Sequence, residues 1–210
     1  FASPAAYLNL GKTLPAIDNG SFTFSFWANA TAFPGGANTA DIIGNRETSN
    51  ANSWWVDVNS TGHLSFNANN GTASQDANST MALQTGAWQQ VIITRSATGG
   101  AVNMYIDGIP AGSGTVNLDT NGTSEELWIG KGGVPGAGAY NGKLDEIRIY
   151  LGRELAGWEA SALYSVENVT IGGSASIKVN FNSLDDSGAG DSVQMELFNN
   201  NTGETPFYTM

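Results

Sequence analysis

Gly142-Lys-Leu-Asp-Glu-Ile-Arg-Ile-Tyr-Leu-Gly-Arg-Glu-Leu-Ala-Gly-Trp-Glu-Ala-Ser-Ala-Leu-Tyr164 reads as an amphipathic strand followed at once by a short helix. Asp145, Ile147 and Ile149 share one parity, and Glu146, Arg148 and Tyr150 share the other, as side chains on opposite faces of a strand do. Leu155, Trp158, Ala162 and Leu163 then fall at helical spacing, which predicts a short amphipathic cap behind the strand. Parity places the Asp145 carboxylate on the inward side with the two isoleucines.

Working outward, further strand candidates recur with turn signals between them. They are Tyr7 to Leu10, Phe22 to Ala28, Asp41 to Gly44, Trp54 to Val58, His63 to Asn67, Gln89 to Arg95, Val102 to Asp107, Gly114 to Leu118, Glu126 to Gly130 and Lys143 to Leu151. The stretches 45–53, 67–80 and 131–142 are rich in Gly, Asn and Ser and read as loops. Short strands without alternating helices predict an all-β fold, a two-sheet antiparallel jelly-roll sandwich with a short C-terminal helix cap, rather than a βαβ fold.

After Tyr164 the pattern changes. Val169 to Ile171, Ile177 to Phe181, Val193 to Phe198 and Phe207 to Tyr208 are strand candidates, and Asp185 to Asp191 reads as a hairpin loop. The boundaries this suggests are 1–166 for the sandwich and 167–210 for a small β appendage. So short a segment without disulfides is near the limit for an independent core. Its apolar face is expected to be covered by the sandwich, by a missing continuation, or by another copy of the chain through strand addition.

Composition bounds the function. The chain has 210 residues and a net charge of −11, with only eight Lys and Arg. Such a surface repels phosphate backbones, so nucleic acid is a poor partner. No run of apolar residues is long enough for a membrane-spanning helix. Cysteine is absent, which excludes thiol catalysis and, with a single histidine at His63, a zinc centre. No Gly-X-Ser-X-Gly elbow accompanies His63. The polar, lysine-poor composition and a first residue that is Phe rather than Met predict a processed chain at an extracellular or particle surface.

Phe22-Thr-Phe-Ser-Phe-Trp-Ala28, Gly86-Ala-Trp-Gln-Gln-Val-Ile-Ile-Thr94, Val102-Asn-Met-Tyr-Ile-Asp-Gly108, Leu127-Trp-Ile-Gly130 and the opening segment resemble, in order, the strands of the laminin-G-like, concanavalin A-like jelly rolls. The resemblance covers about residues 5–165. It implies the sandwich fold but not one function, since this fold carries lectins, adhesion modules, glycanases and spacers. It also implies a structural calcium ion near Asp145, with Asp18 and Asn19 as the matching N-terminal ligands. A calcium ion would satisfy an inward carboxylate; hydrogen bonds from backbone amides at the sandwich edge would do so too.

The carboxylates do not form a hydrolytic pair. Glycanases of this shape set acids at alternating positions of one strand, whereas Glu125 and Glu126 are adjacent, as are Asp145 and Glu146, so their side chains diverge. Asp107-Gly108 reads as a hairpin turn, and the Asp185, Asp186, Asp191 group lacks EF-hand spacing. Aromatic rings beside amides suit sugar recognition, because the ring stacks on C–H faces while polar groups bond hydroxyls. Asn52, Trp54, Trp55 and Tyr140 are the candidates, Tyr140 because it lies in a Gly-rich loop. The alternative for the tryptophans is packing on the two faces of one strand. Two functions stay open: a non-catalytic recognition or adhesion module that binds glycan or a protein surface through rim loops, and a structural subunit of a filament, surface layer or virus particle, assembled through the C-terminal segment.

Overall fold

The computed structural model describes residues 7–11, 20–46, 52–118, 126–132 and 138–155, and the backbone of two short strands at 194–196 and 207–209. The chain divides into two compact units, Phe1–Glu167 and Asn168–Met210. In the second, β13 (Gln194–Glu196) pairs antiparallel with β14 (Phe207–Thr209). The Ile177 strand candidate, the Asp185–Asp191 loop and the helix expected after Leu155 lie outside the described residues.

The first unit is all β. Its strands are β1 (Leu8–Asn9), β2 (Phe22–Ala32), β3 (Thr39–Gly44), β4 (Ser53–Asn59), β5 (His63–Asn69), β6 (Ser74–Ala82), β7 (Gln89–Arg95), β8 (Ala101–Ile106), β9 (Ile109–Thr115), β10 (Trp128–Ile129), β11 (Gly138–Ala139) and β12 (Asn141–Leu151). They form one curled sheet in the order β1-β10-β3-β4-β5-β6-β9-β8-β7-β2-β12, with β11 beside β3. Every pairing is antiparallel except β11 with β3. The two halves of the path meet at one pair, Ser79 opposite Gly112, so the expected two layers are continuous at that edge.

Alternation builds the core. Phe22, Phe24 and Phe26 of β2, Trp54, Val56 and Val58 of β4, Leu64 and Phe66 of β5, and Val91 and Ile93 of β7 pack in one apolar cluster. Phe24 stacks on Phe22 at 4.4 Å and on Trp54 at 4.8 Å. Each such aromatic contributes about 1.5–3 kcal/mol by leaving water. The β8–β9 hairpin turns at Asp107 (φ 53°) and Gly108 (φ 72°), the paired left-handed conformations that an Asp-Gly turn supplies.

Three strands were missed or misplaced by the sequence reading: β11 falls inside 131–142, β9 meets its candidate, Gly114 to Leu118, only at Gly114 and Thr115, and β6 was taken for loop. Most of β6, Ser-Gln-Asp-Ala-Asn-Ser-Thr-Met-Ala, falls in the stretch expected to be loop. Its inward side is Ala77, Ser79 and, at the end, the partly buried Met81, and its outward side is mostly polar. The Ser79 hydroxyl accepts from the Leu64 N–H and donates to the Met81 carbonyl, so a strand short of apolar side chains is still tied into the sheet.

Two bulges decide where polar groups face. In β12, Asp145 lies opposite Trp27 and Arg148 opposite Ser25, so one extra residue is inserted between them. Glu146 takes it up with φ 48°. Leu144, Ile147 and Ile149 all pack against the core. Asp145 is therefore on the outward side and exposed, contrary to the parity argument, which counts alternation through a position where alternation breaks. In β3, Asp41 lies opposite Asp57 and Ile43 opposite Val56. The inserted residue lets Ile42 and Ile43 both enter the core, and it returns Gly44 to the outward side with Asp41.

Candidate functional site

The outer face of β3, β4 and β5 carries a polar cluster around one indole. Trp55 follows the buried Trp54, so it points away from the core and is half-buried. Its Nε1 donates to Asp57 Oδ2 at 3.0 Å. Asn67, across the β4–β5 ladder, donates from Nδ2 to the same oxygen at 3.3 Å. The Arg46 guanidinium lies 4.5 Å from the centroid of the Trp55 ring, a cation–π contact. Its Nη1 reaches Asp41 Oδ1 at 3.2 Å and Oδ2 at 3.3 Å. Asp57 Oδ1 is buried and accepts no hydrogen bond.

These groups hold each other in place. Asp41 and Asp57 are 2% and 5% exposed, so each carboxylate has lost most of its water. Desolvation lifts the pKa of Asp41 to about 6; Arg46 pulls it back down and the Asp57 charge pushes it up. Desolvation likewise raises Asp57, opposed by its hydrogen bonds and by Arg46. The result is an array of a guanidinium, an indole and the Asn67 amide, each partly exposed on the outer face and held in place by two buried carboxylates, and such groups can bond hydroxyls while an apolar ring face packs beside them.

Of the candidates read from sequence, only Trp55 belongs to this array. Trp54 is core, stacked on Phe24, with its backbone N–H donating to Asn45 Oδ1 at 2.7 Å. The two tryptophans thus pack on the two faces of one strand. Asn52 sits in the turn before β4 at φ 55°, and its Oδ1 is buried without a partner. Tyr140 is not a rim residue. It is 2% exposed and part of the apolar core, its hydroxyl unpartnered and its pKa raised by burial. The Gly-rich flank suggested exposure, but the Tyr140 N–H bonds the Gly130 carbonyl at 2.8 Å and fixes the ring inward. Asp145 is exposed and accepts from the Glu146 N–H at 2.8 Å. Asp18 and Asn19 lie outside the described residues. Among the described residues no group of three or more His, Asp or Glu side chains could hold a metal ion, and no helix is long and apolar enough to cross a membrane.

Asp41, Arg46, Asp57 and Asn67 were missed. The available signal was the alternation Trp55-Val-Asp57 and Ser65-Phe-Asn67, in which polar groups occupy the outward positions of strands whose other side is apolar.

Known structures share this architecture. The carbohydrate-binding module CBM40 of the Ruminococcus gnavus IT-sialidase, bound to alpha2,3 sialyllactose, superposes with a TM-score of 0.62 at 13% identity, over 79% of this chain and 95% of that one. Domain 4 of AbnA, an extracellular GH43 arabinanase of Geobacillus stearothermophilus in complex with arabinotriose, gives 0.58 at 20% identity, over 76% and 72%. The receptor-binding domain of botulinum neurotoxin type G gives 0.54 at 16% identity over 69% of this chain, which spans only 37% of that domain. At such identities the likeness speaks for the fold alone. Among curated proteins none matches the chain. The family model Laminin_G_3, described as the concanavalin A-like lectin/glucanases superfamily, matches residues 3–155. The chain belongs to that family.

Proposed function

We propose that this protein is a non-catalytic glycan-binding module that works outside the cell and binds through the outer face of β3, β4 and β5. The observation that carries the reading is Trp55, a half-exposed indole anchored at its edge by Asp57, with the Arg46 guanidinium over one side of its ring and Asn67 bonded to the same carboxylate. This departs from the rim-loop site expected from the sequence, since Tyr140 belongs to the core. Fold relatives that include a carbohydrate-binding module and an arabinanase domain holding sugars support it. Hydrolysis is disfavoured by chemistry. Glycoside cleavage requires two carboxyl groups that reach the scissile bond, and the two beside Trp55, Asp41 and Asp57, are buried, with Asp41 engaged by Arg46. A glycan array probed with the protein and with Trp55→Ala tests the reading. Binding by the first and loss in the second, with unchanged circular dichroism, is the expected result; equal binding by both would place the site elsewhere.

A further inference from the structure

The same outer face carries a second aromatic platform. Tyr7, 44% exposed, lies against Trp128 with ring centroids 5.2 Å apart and a 44° tilt. Lys131 Nζ is 5.7 Å from the Tyr7 centroid. Asn9 donates to Glu126 at 2.7 Å. The ladders connect this platform to Trp55. Asn9 is opposite Trp128, Trp128 opposite Gly44, Gly44 opposite Trp55, Trp55 opposite Asn67, and Asn67 opposite Asp76. Opposed residues of an antiparallel ladder share a face. The chain neighbours Leu127, Ile129, Ile43, Trp54, Phe66, Ala68 and Ala77 are all core residues, so the row faces away from the core.

The spacing of this row carries the argument. Strands lie about 4.8 Å apart, so the backbones of Trp128 and Trp55, two strands apart, are separated by roughly 10 Å. The position between them is Gly44, where a Cβ would meet Trp55 Cβ and the Trp54 carbonyl oxygen, each at 2.6 Å. The row therefore runs aromatic, glycine, aromatic, amide, carboxylate, with no side chain at the glycine because Trp55 and the β4 backbone fill that space. One sugar ring cannot lie on both platforms, whereas successive rings of a chain running across the strands can. Among the described residues of the face Asp41, Asp57, Asp76 and Glu126 outnumber Arg46 and Lys131, on a chain of net charge −11, and such a face repels carboxylated or sulfated chains.

Resting on the proposed function, we infer that the ligand is an internal stretch of a linear, uncharged polysaccharide lying perpendicular to the strands, with Tyr7–Trp128 and Trp55 stacking on different sugar residues of one chain.

Calorimetric titration tests this with xylo-, cello-, manno- and 1,5-arabino-oligosaccharides from mono- to hexasaccharide, and oligogalacturonides as the charged counterpart. In the matching uncharged series, affinity is expected to rise about tenfold or more from disaccharide to hexasaccharide. Tyr7→Ala, a change at an exposed ring, is expected to remove that rise. Trp55→Ala is expected to weaken every length. Mono- or disaccharides that bind as tightly as the hexamer, a length dependence indifferent to Tyr7, or preference for oligogalacturonides would overturn the inference and leave glycan binding standing. No binding to any of these sugars, or to a wider glycan array, would overturn both.

Discussion

Asp41 on β3 stands directly opposite Asp57 on β4, and both carboxylates face away from the core yet are almost fully buried. Two like charges across a ladder are destabilising, and here Arg46 and the Trp55 indole compensate. The sheet holds this arrangement through the β3 bulge, which seats Ile42 and Ile43 inside and turns Asp41 and Gly44 outward together.

The pair makes stability depend on pH. The pKa of Asp41 is lifted from 3.8 to about 6, chiefly by desolvation. Between these values the folded chain keeps a proton that the unfolded chain has released. The contribution of Asp41 is therefore greatest below the unfolded pKa and is lost as pH rises through 6. Asp41→Asn, which cannot ionise, is expected to gain stability relative to the parent by up to about 3 kcal/mol between about pH 4 and pH 7.5. Urea melts of both proteins across that range measure it; a constant difference would show that the native carboxyl titrates normally.

Adjacent tryptophans should separate folding from binding. Trp54→Ala opens a cavity beside Phe24 and is expected to cost about 3–5 kcal/mol. Trp55→Ala removes a half-exposed ring from the outer face and is expected to leave the fold cooperative while abolishing glycan binding. Thermal melts paired with calorimetric titration of both variants check this; loss of binding in folded Trp54→Ala with Trp55→Ala unaffected would reverse the assignment.

The contrast between these neighbours also shows what was legible in the sequence. Alternation located nine of the strands in the first unit and the Asp107-Gly108 turn, because a repeat of two leaves a direct imprint on apolar side chains. It failed wherever the repeat is interrupted or silent. Asp145 was placed inward because the Glu146 bulge changes parity without any Gly to mark it. Most of β6 was taken for loop because the inward side of that part is Ala and Ser. Asp41 and Asp57 are far apart in sequence, and only the β3–β4 register joins them. A site built from the outward positions of several strands depends on register, which a linear reading does not reveal.

Tyr140 tests one such correction. Its hydroxyl is buried without a partner, a state that costs rather than contributes free energy. Tyr140→Phe is expected to be neutral or stabilising by about 1 kcal/mol, whereas Tyr140→Ala should cost about 3–5 kcal/mol. Neither substitution should alter sugar specificity. A Tyr140→Phe protein that melts markedly earlier would reveal a partner for the hydroxyl.

Asp145 tests another. Its carboxylate is exposed and bonds the adjacent Glu146 N–H, helping to hold the left-handed residue of the bulge. Asp145→Ala is expected to cost no more than about 1 kcal/mol. Melts in calcium and in chelator should coincide for parent and variant alike. A rise in Tm with calcium that vanishes in Asp145→Ala would place a metal on this strand.

Arg95 is the most buried cation of the described residues at 2% exposure. Its Nε donates to the Val116 carbonyl at 2.8 Å and its Nη1 to the Gly20 carbonyl at 2.7 Å. It thereby ties the end of β7 to the segment after β9 and to Gly20 just before β2, whose Phe22 is the ladder partner of Arg95. A guanidinium reaches two carbonyls in divergent directions, which an ammonium on a thinner stem cannot do while remaining desolvated. Arg95→Ala leaves both acceptors short of a donor inside the protein and is expected to cost about 2–4 kcal/mol. Arg95→Lys should recover only part of that loss, because one carbonyl stays unserved and the ammonium is harder to strip of water. Urea unfolding of the three proteins at one pH measures the order: parent, then Lys, then Ala. Equal stability of Arg95→Lys and the parent would mean that charge alone suffices there, and a loss below about 0.5 kcal/mol in Arg95→Ala would mean that water reaches those carbonyls.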